Sequence, residues 1–158
     1  YLKMNKAIFA TGCFWCVQEI YDSIPGVINT TVGYTGGDTI NPTYEEVCSG
    51  TTNHAEAIEI EYDPKVISYE ELLKQFWIMH DPTTLNRQGP DIGTQYRSAI
   101  FYLDAEQKKI AEQSKIKMNN EKFNGTIVTE ITKSSIFYPA EKYHQKYNEK
   151  MKKQYGIG

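Results

Sequence analysis

The chain predicts an α+β fold, a two-layer α/β sandwich, on three observations. Short apolar strands alternate with helical segments in the order βαβ, then βαβαβ, then a last helix. The 158 residues suit a single domain over residues 1–158, long enough to bury about two-thirds of its unfolded surface without a metal or disulfide staple. A composition of 40% hydrophobic and 23% charged residues excludes a disordered or fibrous chain. The pattern leaves open whether helices cover one sheet face or both.

The elements follow in order. Residues 6–11 form an apolar strand that Gly12 ends, and a helix runs over about 13–22 until Pro25-Gly26 breaks it. Residues 27–34 have strand composition and stop at Gly36-Gly37, and 43–47 read as a short helix. Residues 56–62 alternate as a strand, with Ile58, Ile60 and Tyr62 on one face and Ala57, Glu59 and Glu61 on the other. Ser68-Tyr69-Glu70-Glu71 is a capping box opening a helix to about His80. Residues 81–94 form a long loop, a kind of segment that is often functional. A strand over 96–103 precedes a second capping box, Asp104 with Gln107, and a helix to about 122. Asn124-Gly125 turns into a strand over 126–132, and a last helix follows Pro139.

Charge and cysteine usage narrow the function. A net charge of −3 gives no nucleic-acid footprint. No apolar run approaches the ~18 residues of a membrane span. Residues 1–10 lack a signal-peptide core, and the opening Tyr1 suggests a processed, trimmed or excised chain whose targeting segment is missing. Three cysteines, Cys13, Cys16 and Cys48, are too few and odd for a secreted disulfide framework, and a cytoplasmic protein is expected. Twelve tyrosines, each an apolar ring with a polar tip, suit a pocket lining.

Cys13-Phe14-Trp15-Cys16 carries the sharpest signal. Cys13 follows a strand and Gly12 at the first turn of a helix, where unpaired N–H groups favour a thiolate nucleophile. Cys16, three residues on, shares its face and lies within disulfide reach if the first turn adjusts. Phe14 and Trp15 suit either the core or an apolar wall beside the nucleophile. Glu56 has the strand parity of Ile58 and Ile60, so its carboxyl points to the apolar side, where burial keeps it protonated and able to donate. The alternative is a strand-end glutamate turned to solvent by a bulge. Tyr34 and Tyr96 stand at strand ends, where sites form. His54 suits a loop hydrogen bond, His80 a helix C-terminus that favours a cation, and His144 a packing role on the last helix.

These residues fall in segments that resemble one family throughout. Gly12-Cys13-Phe14-Trp15, Gly33-Tyr34-Thr35-Gly36-Gly37, and Asn41-Pro42-Thr43-Tyr44 leading to Val47-Cys48-Ser49-Gly50 match it. So do His54-Ala55-Glu56, Asp91-Ile92-Gly93-Thr94-Gln95-Tyr96-Arg97-Ser98 and Ala140-Glu141-Lys142-Tyr143-His144-Gln145. The chain resembles the A-type peptide methionine sulfoxide reductases. The resemblance implies a mixed sheet with a ferredoxin-like core, no metal or organic cofactor, and reduction of the S epimer of methionine sulfoxide, free or in proteins. It carries Cys13 over as nucleophile, Glu56 as acid, Tyr34 and Tyr96 as hydroxyls for the sulfoxide oxygen, Phe14 and Trp15 as the methyl pocket, and Asp91 and His144 as neighbours of the substrate backbone. Thioredoxin is the expected reductant and a monomer the expected state.

Two departures matter. Many members of that family have Gly where this chain has Cys16. Many also carry a resolving cysteine near a glycine-rich C-terminus, whereas residues 154–158 here have none. Cys16 is therefore the leading partner for a Cys13 sulfenic acid, with Cys48 as rival. Two other classes compete: a thioredoxin-like disulfide oxidoreductase, from C-x-x-C after a strand, and a zinc module using Cys13, Cys16, Cys48 and a histidine.

Overall fold

The computed structural model describes residues 5–155. Residues 1–4, and the last three of the cysteine-free tail, 156–158, lie outside the described residues. In chain order the elements are β1 (Asn5–Thr11), α1 (Phe14–Asp22), β2 (Val27–Thr35), α2 (Tyr44–Cys48), β3 (Ala55–Tyr62) and α3 (Tyr69–Met79). They continue as β4 (Arg87–Gln88), β5 (Asp91–Ile92), β6 (Ser98–Tyr102), α4 (Ala105–Met118), β7 (Glu130–Lys133), β8 (Tyr138–Pro139) and α5 (Tyr147–Tyr155).

Six strands form one sheet in the order β7-β6-β1-β3-β2-β8, and β4 and β5 form a separate hairpin. β1 pairs antiparallel with β3 and β6, and β2 pairs antiparallel with β3 and β8. Only β7 runs parallel to its neighbour, β6. The sheet is thus mixed, and its middle four strands, β6-β1-β3-β2, carry the βαββαβ order expected of a ferredoxin-like core.

Alternation in the strands decides where the core sits. Phe9, Val32, Ile58, Ile60 and Ile100 face the helices and meet Phe14, Val17 and Tyr21 of α1 and Leu72, Leu73, Phe76 and Trp77 of α3. Each such buried side chain contributes about 1.5–3 kcal/mol. The opposite face holds a smaller cluster, Ile8, Ala10, Ala55, Ala57, Ala99 and Phe101, covered by Phe137. The question left by the pattern is therefore answered: the main helical core lies on one face.

Several boundaries shift for identifiable reasons. The loop over 81–94 contains the β4–β5 hairpin. Tyr96 belongs to a 3-10 turn, Thr94–Tyr96, and the strand begins at Ser98. The strand predicted over 126–132 starts only at Glu130, because the N–H groups of Ile127 and Val128 are taken by Asn119 Oδ1 and Pro82 O. His144 lies in a 3-10 turn, Lys142–His144, ahead of the last helix rather than on it. His80 is no helix-end cation. Its ring nitrogens engage Phe76 O and Ser98 Oγ, each at 2.7 Å, and burial pushes its pKa down to about 4. Among the described residues no helix is long and apolar enough to cross a membrane.

Candidate active site

Gly12 ends β1 with φ +107, a conformation that L side chains rarely adopt, and it lifts the chain off the sheet into α1. Cys13 is the N-cap residue of α1 and Cys16 occupies the third helical position. The N-cap carries no side-chain cap hydrogen bond. Cys13 is half-buried and Cys16 exposed, and both are free thiols.

The thiolate expected at Cys13 meets an opposing effect. The N–H groups of Trp15 and Cys16 pull its pKa down, but burial pushes it up more, to about 11. Charge on Glu56 and Cys16 pushes the same way. Desolvation outweighs the helix N-terminus here, so the resting group is a thiol.

Glu56 follows its parity. It is 1% exposed and stands opposite Tyr34 in an unbulged part of the β2–β3 ladder. Burial raises its pKa to about 7, against a hydrogen bond from Phe14 N–H to Oε1 at 3.4 Å that lowers it, with Asp91 adding to the rise. Its other oxygen, Oε2, is buried and has no hydrogen-bond partner among the described residues. The carboxyl is therefore tied to the start of α1 by one oxygen and holds the other ready.

The tyrosine hydroxyls take different partners. Tyr34 is fully buried and its hydroxyl donates to Glu141 Oε1 at 2.9 Å. Tyr34 also stands opposite Glu56 in the ladder and lies within that carboxyl's field, as Tyr44 and Tyr96 do. Tyr96 lies within electrostatic reach of Glu56, Cys48, Asp91 and Cys13. Tyr44, a residue of the matched motifs given no role, is a further such hydroxyl. It faces Cys48, with Glu56 and Tyr96 also near, and Glu141 Oε2 holds its backbone N–H at 3.1 Å. Burial keeps both phenols protonated as donors. No local pattern marks Tyr44, since its reach into the site depends on how α2 docks.

An aromatic wall adjoins this cluster. Phe14, Trp15, Tyr44 and His144 pack with ring centroids 4.3–6.5 Å apart. Trp15 Nε1–H donates to His144 Nδ1 at 3.0 Å, so the buried Nε2, which has no partner among the described residues, carries the histidine proton. Asp91, on the hairpin, comes to the same place through its field on Glu56 and Tyr96. His54 takes the loop role expected of it, accepting from Gly37 N–H at 3.0 Å and donating to Thr39 O at 2.7 Å. Gly37 is required there, because a Cβ would stand 2.3 Å from His54 N.

The structure therefore joins Cys13, Glu56, Tyr34, Tyr96, Asp91, Phe14, Trp15 and His144, and adds Tyr44. Cys48 also belongs to the neighbourhood, with Tyr96 near both it and Cys13. No group of three or more His, Cys, Asp or Glu side chains able to hold a metal ion occurs among the described residues.

A cysteine at a helix start beside a protonated carboxyl, on a ferredoxin-like sheet, defines an acid-assisted thiol enzyme. Similarity makes the class specific. A family model described as peptide methionine sulfoxide reductase matches residues 5–157. A peptide methionine sulfoxide reductase MsrA of Methanothermobacter thermautotrophicus is 51% identical over 149 residues, covering 94% of this chain and 88% of that one. Another MsrA, of Nautilia profundicola, is 54% identical over 144 residues, covering 91% and 82%. Reduced Mxr1 from Saccharomyces cerevisiae matches with a TM-score of 0.90 at 37% identity, over 94% of this chain and 86% of that one. Mxr1 in complex with Trx2 matches with a TM-score of 0.67 at 27% identity, over 92% and 85%. The chain belongs to the peptide methionine sulfoxide reductase family. That membership replaces the thioredoxin-like and zinc-module readings.

Proposed function

We propose that the protein repairs oxidised methionine by reducing the S epimer of methionine sulfoxide, free or in proteins, to methionine. The observation that carries this reading is Glu56, a buried carboxyl with a pKa near neutrality, one oxygen without a partner among the described residues, and a charge that reaches Cys13. A sulfoxide sulfur yields to a thiol only as its oxygen gains a proton. Glu56 gives that proton, and the hydroxyls of Tyr34 and Tyr96, with that of Tyr44, donate hydrogen bonds to the same oxygen. The S–H proton of Cys13 restores the carboxyl as sulfur attacks sulfur. The attack forms a bond between the Cys13 and substrate sulfurs. The hydroxyl then passes from the substrate sulfur to Cys13, and that S–S bond and the old S–O bond break. Methionine leaves and Cys13 is left as a sulfenic acid, so the sulfoxide is reduced as the cysteine is oxidised. Phe14 and Trp15 receive the substrate methyl group, and Asp91 and His144 flank its backbone.

Cys16 then condenses with the sulfenic acid. The S–O bond of Cys13 breaks, a Cys13–Cys16 disulfide forms, and water leaves. Thioredoxin reduces that disulfide, a reading supported by the similarity to Mxr1 solved in complex with Trx2. The chain acts as one catalytic domain over 1–158, a monomer of the subtype with a second cysteine in Gly12-Cys13-Phe14-Trp15-Cys16. Its place is the cytoplasm, where thioredoxin keeps thiols reduced.

An epimer-resolved assay on a methionine sulfoxide peptide with thioredoxin tests the reading. Consumption of the S epimer alone is expected, and consumption of the R epimer alone would overturn it.

A further inference from the structure

Two of the three phenols of the proposed oxygen site are tied to one carboxylate that belongs to neither of their elements. Glu141 Oε1 accepts a hydrogen bond from the Tyr34 hydroxyl at 2.9 Å, and Oε2 accepts from the Tyr44 N–H at 3.1 Å and the Tyr143 hydroxyl at 3.4 Å. We propose that Glu141 is the positioning residue for the hydroxyls that meet the sulfoxide oxygen: one carboxylate oxygen sets the Tyr34 phenol on β2, and the other sets the start of α2 and with it Tyr44. This rests on the reading of the site as one that reduces methionine sulfoxide.

Three observations carry the assignment. First, Glu141 works outside its own turn. It stands at the N-cap of the 3-10 turn Lys142–His144, where a side chain ordinarily bonds the turn it opens, yet it makes no cap hydrogen bond there. Its oxygens reach 107 and 97 residues back along the chain, to β2 and α2. Burial pushes its pKa up, but its own N–H, the Tyr44 N–H and the Tyr34 hydroxyl outweigh that and hold the carboxyl below its ordinary value, as an anion.

Second, Glu141 rides on backbone strapped to the strand it positions. β8 pairs with β2 so that Tyr138 stands opposite Tyr34. Ala140 N–H donates to Val32 O at 2.9 Å, and Gln145 accepts from Val32 N–H at 3.0 Å and donates through Nε2 to Ala140 O at 3.0 Å. Gly33 leaves room for this strap, since a Cβ there would stand 2.3 Å from Tyr138 O. The carboxylate thus reaches Tyr34 from a fixed base, with little freedom left to lose.

Third, the two tied residues converge on the reacting groups. Tyr34 stands opposite Glu56, and the ring of Phe14, next to Cys13, packs against both phenols with centroids 5.8 Å from Tyr34 and 6.5 Å from Tyr44. Both phenols lie in the field of Glu56. A misplacement of about 1 Å between such groups costs about 10²-fold in rate.

The Tyr34 phenol has one proton, and Glu141 holds it. A sulfoxide oxygen receives it when the hydroxyl turns, and Glu141 then keeps the Tyr44 N–H and the Tyr143 hydroxyl as donors. The carboxylate therefore fixes the phenol without locking its proton.

A double-mutant cycle tests the role. Glu141→Ala should lower the single-turnover rate of methionine formation about ten- to thirty-fold. Alkylation of Cys13 by iodoacetamide, which needs no oxygen-binding hydroxyl, should stay within about twofold. In a Tyr34→Phe, Tyr44→Phe background the same replacement should cost less than about threefold, because the hydroxyls it positions are gone. Glu141→Gln keeps the size and one acceptor oxygen, so it should recover part of the loss, and it stands in if the alanine variant fails to fold. Additive losses in the two backgrounds, or a parallel fall in alkylation, would overturn the proposal. Tyrosine labelled with carbon-13 at Cζ gives a reading independent of turnover. The Tyr34 resonance, identified by its loss in Tyr34→Phe, should move in Glu141→Gln, and an unmoved resonance would overturn the proposal. No methionine formed by the unaltered protein, with that resonance still moving, would instead remove the functional reading on which the proposal rests.

Discussion

Glu56 shows how burial converts an ordinary residue into a proton donor. Its carboxyl is pushed up to about 7 because the charged form loses its solvation in the sheet. The single-turnover rate of methionine formation should be level below about pH 7 and fall roughly tenfold per unit above it, as the proton is lost. Glu56→Ala should lower that rate by about 10²–10⁴-fold, and Glu56→Gln should keep part of it through a hydrogen bond. The tyrosines are read in the same assay. Tyr44→Phe should slow the first step by about tenfold or more, and Tyr34→Phe should do the same while also costing about 1–3 kcal/mol in urea unfolding, because Glu141 loses its donor. Glu56 was legible from sequence because strand parity fixes which face a residue takes. The hydrogen bond of Tyr34 to Glu141 was not legible, because that partner comes from 107 residues away. No local periodicity carries that contact.

At the scale of elements, α1 and α2 were legible because caps and glycines punctuate them, as the Thr43–Glu46 capping box of α2 does. What sequence separation hid was their meeting. Cys48 ends α2, apparently remote from Cys13, yet Tyr96 lies near both sulfurs. The 3-10 turn that holds Tyr96, and the β4–β5 hairpin that presents Asp91, were unreadable because two- and three-residue elements have no period to detect. Cys48 remains a rival in position, but Cys16 rather than Cys48 is among the groups whose charge bears on Cys13. Cys48→Ser should therefore retain thioredoxin-coupled turnover within about threefold. A variant that completes the first turnover but cannot recycle would place Cys48 in the relay.

Over the whole molecule, the site and the core work against each other in pH. Glu56 has a folded pKa of about 7 against 4.5, so its proton stabilises the fold below about pH 4.5, and that contribution is lost as pH rises through 7. His80, clasped between α3 and β6, has a folded pKa of about 4 against 6.5. Its contribution is present above about pH 6.5 and is lost as pH falls toward 4. Each amounts to about 3 kcal/mol at full extent, with opposite signs over nearly the same window. The pair should leave stability nearly flat between about pH 4.5 and 6.5. Glu56→Gln should make stability rise with pH across that window and should unfold at higher denaturant than wild type at pH 8. His80→Gln should make it fall. Parallel pH profiles for both variants would refute this opposition.

The proposed order of chemical events, Cys13 attacking, Glu56 protonating and Cys16 resolving, would leave its record in the sulfurs. The most direct measurement is a mass-spectrometric map of all three cysteines after one turnover with a methionine sulfoxide peptide and no reductant. The expected result is one equivalent of methionine, a Cys13–Cys16 disulfide, and Cys48 still open to alkylation. A Cys13–Cys48 bond as the sole product, or methionine formed with Cys13 unmodified, would contradict it.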